Sequence, residues 1–236
     1  MSAIYATPET GLCPVLFGGK IPRVIAVVGA GGKTSSIKTM AWELSRSGKR
    51  AVITTTTKMH PPEDKSLLVS APEEVSALLR EKSPVWAGIY FNEHKIEGIP
   101  GAISALAAAS DCVLVEADGA RKHPLKMTDP AYEPVIPPEA EAVIAVAGLD
   151  GVGKPLAEAV HRPELACAAL RLTPEHIITP ADVAALLRHC YDPKLVILNK
   201  AETPERHAAA NAIAALLPEA RCIATSLRQW GRDEKR

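Results

Sequence analysis

The stretch Arg23-Val24-Ile25-Ala26-Val27-Val28-Gly29-Ala30-Gly31-Gly32-Lys33-Thr34-Ser35 decides the reading of this chain. From Val24 the run is apolar until glycines end it, the pattern of a parallel strand buried on both faces. Ile37, Met40, Ala41 and Leu44 then recur at helical spacing and lay one apolar stripe on a helix over 33–47, which Gly48 stops. Residues 50–55 supply a second strand. This β-loop-α-β unit requires a right-handed crossover and a parallel sheet.

A strand that enters a glycine turn and leaves as a helix presents backbone N–H groups where the helix dipole favours an anion. Lys33 can reach β- and γ-phosphate oxygens, and the Thr34 hydroxyl can coordinate Mg²⁺. The expected nucleotide-binding set is therefore Gly29, Ala30, Gly31, Gly32, Lys33, Thr34 and Ser35, with Mg²⁺ and ATP or GTP as the cofactors. Val27 stands where the usual phosphate loop has its first glycine, so the loop is a shortened one that resembles the loop of Mur-ligase-type ATPases. A second glycine segment, Gly148-Leu149-Asp150-Gly151-Val152-Gly153-Lys154-Pro155, matches the full spacing better. Its Pro155 replaces the metal-binding hydroxyl and removes an amide donor, so it reads as a substrate-contacting loop.

Further strands are expected at 66–69, 85–90, 111–118, 142–147, 194–198 and 220–224, and helices at 72–80, 101–109, 163–170, 180–189 and 204–217. Residues 1–22 form an approach segment with one short element. Residues 119–138, rich in Pro and charge, form a long connection of the functional or mobile kind. The expected fold is a single α/β domain over 1–236, a three-layer, P-loop NTPase-like arrangement around a mostly parallel central sheet.

The composition narrows the function classes. Lys+Arg and Asp+Glu number 27 each among 236 residues, so no net charge argues for nucleic acid or an acidic membrane surface as partner. No apolar run approaches the roughly 20 residues of a membrane span. The five cysteines are scattered, with no C-x-x-C pair, and point to neither a disulfide framework nor a zinc site. Cytoplasm is the expected compartment.

Glu116 and Asp118 end an apolar strand, where a magnesium-nucleotide site needs acidic groups, and their spacing places both on one strand face. With Thr34 they are the candidate metal ligands, and with Lys33 the candidate catalytic residues; a solvated strand end is the bland alternative. Thr57 and Lys58 close the second strand at the edge that faces the crevice of a parallel sheet. Asn199-Lys200-Ala201-Glu202 is similar to the guanine-reading Asn-Lys-x-Asp of GTPases, with Glu202 in place of aspartate. Adenine and guanine both remain open.

Five segments recur in the order of one known family: Gly-Ala-Gly-Gly-Lys-Thr, then Thr54-Thr55-Thr56-Thr57-Lys58-Met59, then Glu116-Ala117-Asp118-Gly119-Ala120-Arg121-Lys122-His123-Pro124-Leu125-Lys126, then Tyr132-Glu133-Pro134-Val135-Ile136-Pro137, and Leu198-Asn199-Lys200-Ala201-Glu202. The chain resembles the YqeC family from about Val24 to Ser226. That resemblance implies a role in selenium-cofactor biosynthesis, or as an accessory protein of selenium-dependent molybdenum hydroxylases. The expected partners are a nucleoside triphosphate and a molybdenum hydroxylase or its pterin cofactor. In this light Arg121 and Lys126, on the loop leaving the nucleotide site, are candidates to clamp phosphates or an anionic pterin, and His161 and Arg162 join them as substrate candidates. The leading activity is nucleoside triphosphate hydrolysis. A nucleotide-switched binding module and an ATP-dependent ligase or cofactor kinase are the rivals.

Overall fold

The computed structural model describes residues 2–228 and Trp230. Nine strands form one sheet in the order Ile4–Tyr5, Arg221–Thr225, Leu195–Asn199, Ala142–Gly148, Val24–Gly29, Cys112–Glu116, Ala51–Thr55, Val85–Ala87, Leu68–Val69. Every pairing in it is parallel. The fold is thus α/β, with helices on both sheet faces.

Strand alternation sorts the core. Ile25, Val27, Ile53, Leu114 and Ile197 point to one face, where Ile37, Met40 and Leu44 of the helix Lys33–Arg46 cover them. Ala26, Val28, Ala145, Ala147 and Val196 point to the other, against the helices Pro180–Tyr191 and Pro204–Leu216. Val52, Val113 and Val115 continue that second face under Pro72–Leu78 and Ile103–Ala109. Each fully buried Leu or Ile contributes about 1.5–3 kcal/mol, and because only 4% of the residues are aromatic the aliphatic strands carry the core.

The central strand Val24–Gly29 lies between Cys112–Glu116 and Ala142–Gly148, strands that follow it at very different distances in the chain. Connections therefore leave to opposite sides of it. Such a switch point opens a crevice at the carboxyl ends of the strands, where the glycine loop sits.

Several local expectations are revised. The run 85–90 is not one strand: Val85–Ala87 joins the sheet, while Ile89–Asn92 pairs antiparallel with Lys95–Glu97, which pairs in turn with Lys58–Met59. Gly88 stands between the two, where a Cβ would lie 2.8 Å from the Glu97 carbonyl oxygen. The strand expected over 111–118 ends at Glu116. Residues 2–22 hold two elements, an edge strand and the helix Leu12–Phe17, whose first amides donate to the Glu43 carboxylate at 2.6 and 2.7 Å. The long connection after Asp118 is packed in at its middle, where Leu125–Lys126 pairs with Val160–His161 and Lys126, Met127 and Thr128 are buried, while Arg121, Lys122 and Tyr132 are exposed. Among the described residues no helix is long and apolar enough to cross a membrane.

Candidate functional site

The loop begins where Gly29 ends the central strand. Gly29, Gly31 and Gly32 all have positive φ, at 95°, 77° and 142°. Glycine is also demanded by close approach: a Cβ on Gly31 would sit 2.3 Å from the Gly148 nitrogen, and one on Gly32 2.1 Å from Asn199 Nδ2. The Ala30 amide donates to the Val146 carbonyl at 2.8 Å, and that of Gly31 to the His123 carbonyl at 3.1 Å. The helix Lys33–Arg46 then starts without a side-chain cap. Its first-turn N–H groups lack intrahelical acceptors, so Gly32, Lys33, Thr34 and Ser35 present donors to the crevice.

Side chains from distant segments converge on this turn. The Thr34 hydroxyl donates to Glu116 Oε2 at 2.6 Å. Lys33 is buried and donates to the Gly29 carbonyl at 2.7 Å, with Asp118 Oδ1 3.1 Å from its nitrogen. That second contact is an ion pair without hydrogen-bond alignment, because Oδ1 has no directed donor. Asn199 donates from Nδ2 to the Gly31 carbonyl at 2.8 Å and accepts from the Leu227 amide at 3.3 Å, tying the loop to the far side of the sheet.

Asp118 does not join Glu116 on Thr34. It lies two residues past the strand end, where the pleat no longer dictates direction, and it is wholly buried. Its Oδ2 accepts from the Gly29 amide at 2.9 Å and from the Tyr191 hydroxyl at 3.0 Å, and lies 3.3 Å from Lys126 Nζ. Burial first, and then the Asp118 charge, push the Tyr191 phenol well above its ordinary pKa, so it stays a donor. Lys126 also bonds Glu133 and the Gly119 carbonyl, and Glu133 pairs in turn with Arg162. Burial alone would raise the Glu133 pKa, but Lys126, the Gly119 amide and Arg162 hold it below its ordinary value. Lys126 is therefore a buried member of a charge chain, in contrast to the free clamp expected of it.

A cleft of about 860 Å³, reached from the loop through His123 and with none of Gly29–Ser35 in its wall, is lined in part by Thr57, Lys58, Arg121, His123, His161 and Arg162. The substrate candidates other than Lys126 thus share one wall system. Lys58 lies over the Phe91 ring, 3.1 Å from its centroid, and His123 stacks on His161 with centroids 5.8 Å apart. Burial, then the Arg162 and Lys126 charges, lower the His161 pKa. Arg121, Lys122 and Arg162 hold positive φ around this space.

The base-reading candidates are partly engaged. Lys200 bonds Asp150 at 2.7 Å, while Glu202 accepts from Arg206 at 2.9 Å and from Ser226 at 3.0 Å. The second glycine segment packs its Gly148 on Gly31 and supplies Asp150; it does not line the cleft. Sequence reasoning missed Tyr191 and Asp150, whose partners lie 73 and 50 residues away with no local pattern linking them. Among the described residues no three His, Cys, Asp or Glu side chains form a metal cage.

A parallel α/β protein with a glycine loop at the switch point of its sheet, braced by a carboxylate from the adjacent strand, is the class defined by these features. The chain belongs to the YqeC family: the model described as YqeC protein matches residues 25–164. It is also similar to "Uncharacterized protein YqeC" of Escherichia coli (strain K12), 39% identical over 178 residues, which cover 72% of this chain and 69% of that one.

Proposed function

We propose that the protein binds a nucleoside triphosphate with Mg²⁺ in a P-loop NTPase-like domain and uses it in maturing selenium-dependent molybdenum hydroxylases. The observation that carries this reading is the uncapped helix start at Gly32–Ser35, set at a parallel switch point with Thr34 hydrogen-bonded to Glu116. The amides and Lys33 bind phosphate oxygens and offset the charge that develops on phosphoryl transfer. Thr34 and Glu116 offer a hydroxyl and a carboxylate, the oxygen donors that suit Mg²⁺ when phosphates complete its shell. When bound, the ion neutralises phosphate charge. Asn199, whose amide bonds the Gly31 carbonyl, and the adjacent Lys200 are the candidates for base contact, with adenine and guanine both admitted. The maturation role and its molybdenum-hydroxylase or pterin partner rest on the family resemblance.

Steady-state phosphate release from wild type and Lys33→Ala tests the activity. Release from wild type that falls at least tenfold in the variant supports it; equal, low release from both removes the catalytic reading.

The cleft favours a second reading, a ligase or cofactor kinase that modifies another molecule. Thr57, Lys58, Arg121, His161 and Arg162 would contact that acceptor. Mass spectrometry of a pterin cofactor incubated with nucleotide and protein would show added phosphate or a new bond, or exclude it.

A further inference from the structure

Five ionic groups run in an unbroken chain from the phosphate loop into the cleft wall: Lys33, Asp118, Lys126, Glu133 and Arg162. Asp118 is the pivot. It is fully buried, so its charge depends on Lys33, Lys126, the Tyr191 hydroxyl and the Gly29 amide. A buried carboxylate cannot give up one cation unless the others hold it.

We infer that Asp118 competes with nucleotide phosphate for Lys33, and that Lys126 and Tyr191 are positioning residues which hold the Asp118 carboxylate when Lys33 turns to phosphate. The inference rests on the proposed nucleotide site and assigns these three side chains a part in it without contact to ligand. Lys33 is drawn inward by Gly29 and Asp118, at 2.7 and 3.1 Å, so a phosphate oxygen must outbid both. Lys126, with no exposed side-chain surface, stays in reach of Asp118 at 3.3 Å. Tyr191 adds a neutral donor on the same oxygen as Lys126.

The signs separate this from a role in folding alone. Asp118→Asn removes the competitor and tightens nucleotide binding, while Lys126→Met leaves Lys33 as the carboxylate's main cation and weakens it. Tyr191→Phe deletes one hydroxyl without changing charge, and it too weakens binding, because Asp118 then leans more on Lys33. Each effect is about tenfold: for Tyr191 it follows from one hydrogen bond to a charged group, and for the two charge variants from one ion pair gained or lost by Lys33. A general field effect of removing charge would leave Tyr191→Phe unchanged.

The test is titration of the full chain with Mg²⁺ and non-hydrolysable ATP and GTP analogues. Wild type, Asp118→Asn, Lys126→Met and Tyr191→Phe are compared, and Asp118→Asn is repeated in a Lys33→Met background. The expected result is tighter binding for Asp118→Asn only where Lys33 is present, with weaker binding for the other two. Weaker binding in all three, or a gain from Asp118→Asn that persists without Lys33, overturns the inference and leaves the nucleotide site standing. Tyr191→Phe decides if either charge variant fails to fold. Wild type that binds neither analogue overturns the site itself, and this inference with it.

Discussion

The Thr34 hydroxyl donates to Glu116 Oε2 at 2.6 Å, joining the first turn of the loop helix to the end of the neighbouring strand. The pair lies at the helix start, with Thr34 half-buried and Glu116 buried, and under the proposed function it holds the cation that accompanies phosphate. Thr34→Val and Glu116→Gln should each raise the Mg²⁺ concentration needed for nucleotide binding, by about tenfold. A magnesium titration at fixed nucleotide reads this directly. An unchanged magnesium requirement in both would take the metal away from this pair.

Gly31 offers a steric test of the loop. A methyl there meets the Gly148 nitrogen at 2.3 Å and the Pro124 carbonyl oxygen at 2.6 Å, at a φ of 77°. Gly31→Ala should cost about 2–4 kcal/mol and abolish nucleotide binding. Gly101 has a similar φ of 67° but open space around it, so Gly101→Ala should cost only about 1 kcal/mol and leave binding intact. Urea unfolding compares the two, and equal costs would mean that strain and not contact sets the requirement.

The extent to which the sequence foretold this site follows from the range of its signals. The strand–glycine–helix unit was legible because its determinants are contiguous: the expected helix over 33–47 is Lys33–Arg46 in the structure. The central strands were legible from apolar runs too long to be exposed. The two-residue strand Leu125–Lys126 carried no period to read, and its partner Val160–His161 is remote in sequence. Strand alternation carried past Glu116 puts Asp118 on the same face, but the strand stops at Glu116 and the Asp118 carboxylate turns to Gly29, Tyr191 and Lys126. Tyr191, at the end of a helix, gave no sign that its hydroxyl reaches Asp118.

Asn199 discriminates between tethering and base reading. Its amide bonds Gly31 and Leu227, so Asn199→Ala should weaken ATP and GTP binding alike, by about 1 kcal/mol or more. Competition between the two nucleotides measures it. A changed preference would instead make Asn199 a reader of the base.

Acid should weaken the charge chain. Lys126, the Gly119 amide and Arg162 hold the folded Glu133 pKa below its ordinary value in spite of burial. Its stabilisation is therefore complete above the unfolded pKa, near 4.3, and is lost as pH falls through the folded value. Glu133→Gln should lower stability by about 1–3 kcal/mol at pH 7, and the difference from wild type should shrink below about pH 4. His161 works in the same pH direction: its folded pKa is lowered, so stability declines as pH drops below about 6.5 until the folded value is passed. Urea unfolding across pH 3.5 to 7 checks both, and a pH-independent Glu133→Gln difference would contradict the first.

The central claim is that the loop from Gly29 to Thr34 binds a magnesium nucleotide through Lys33. Calorimetric titration of wild type and Lys33→Ala with ATP and with GTP, with and without Mg²⁺, tests it most directly. Saturable, magnesium-dependent binding of at least one nucleotide to wild type is expected, weakened more than tenfold but still measurable in Lys33→Ala. Binding that is absent from wild type, or unaltered by removing Lys33, would contradict it.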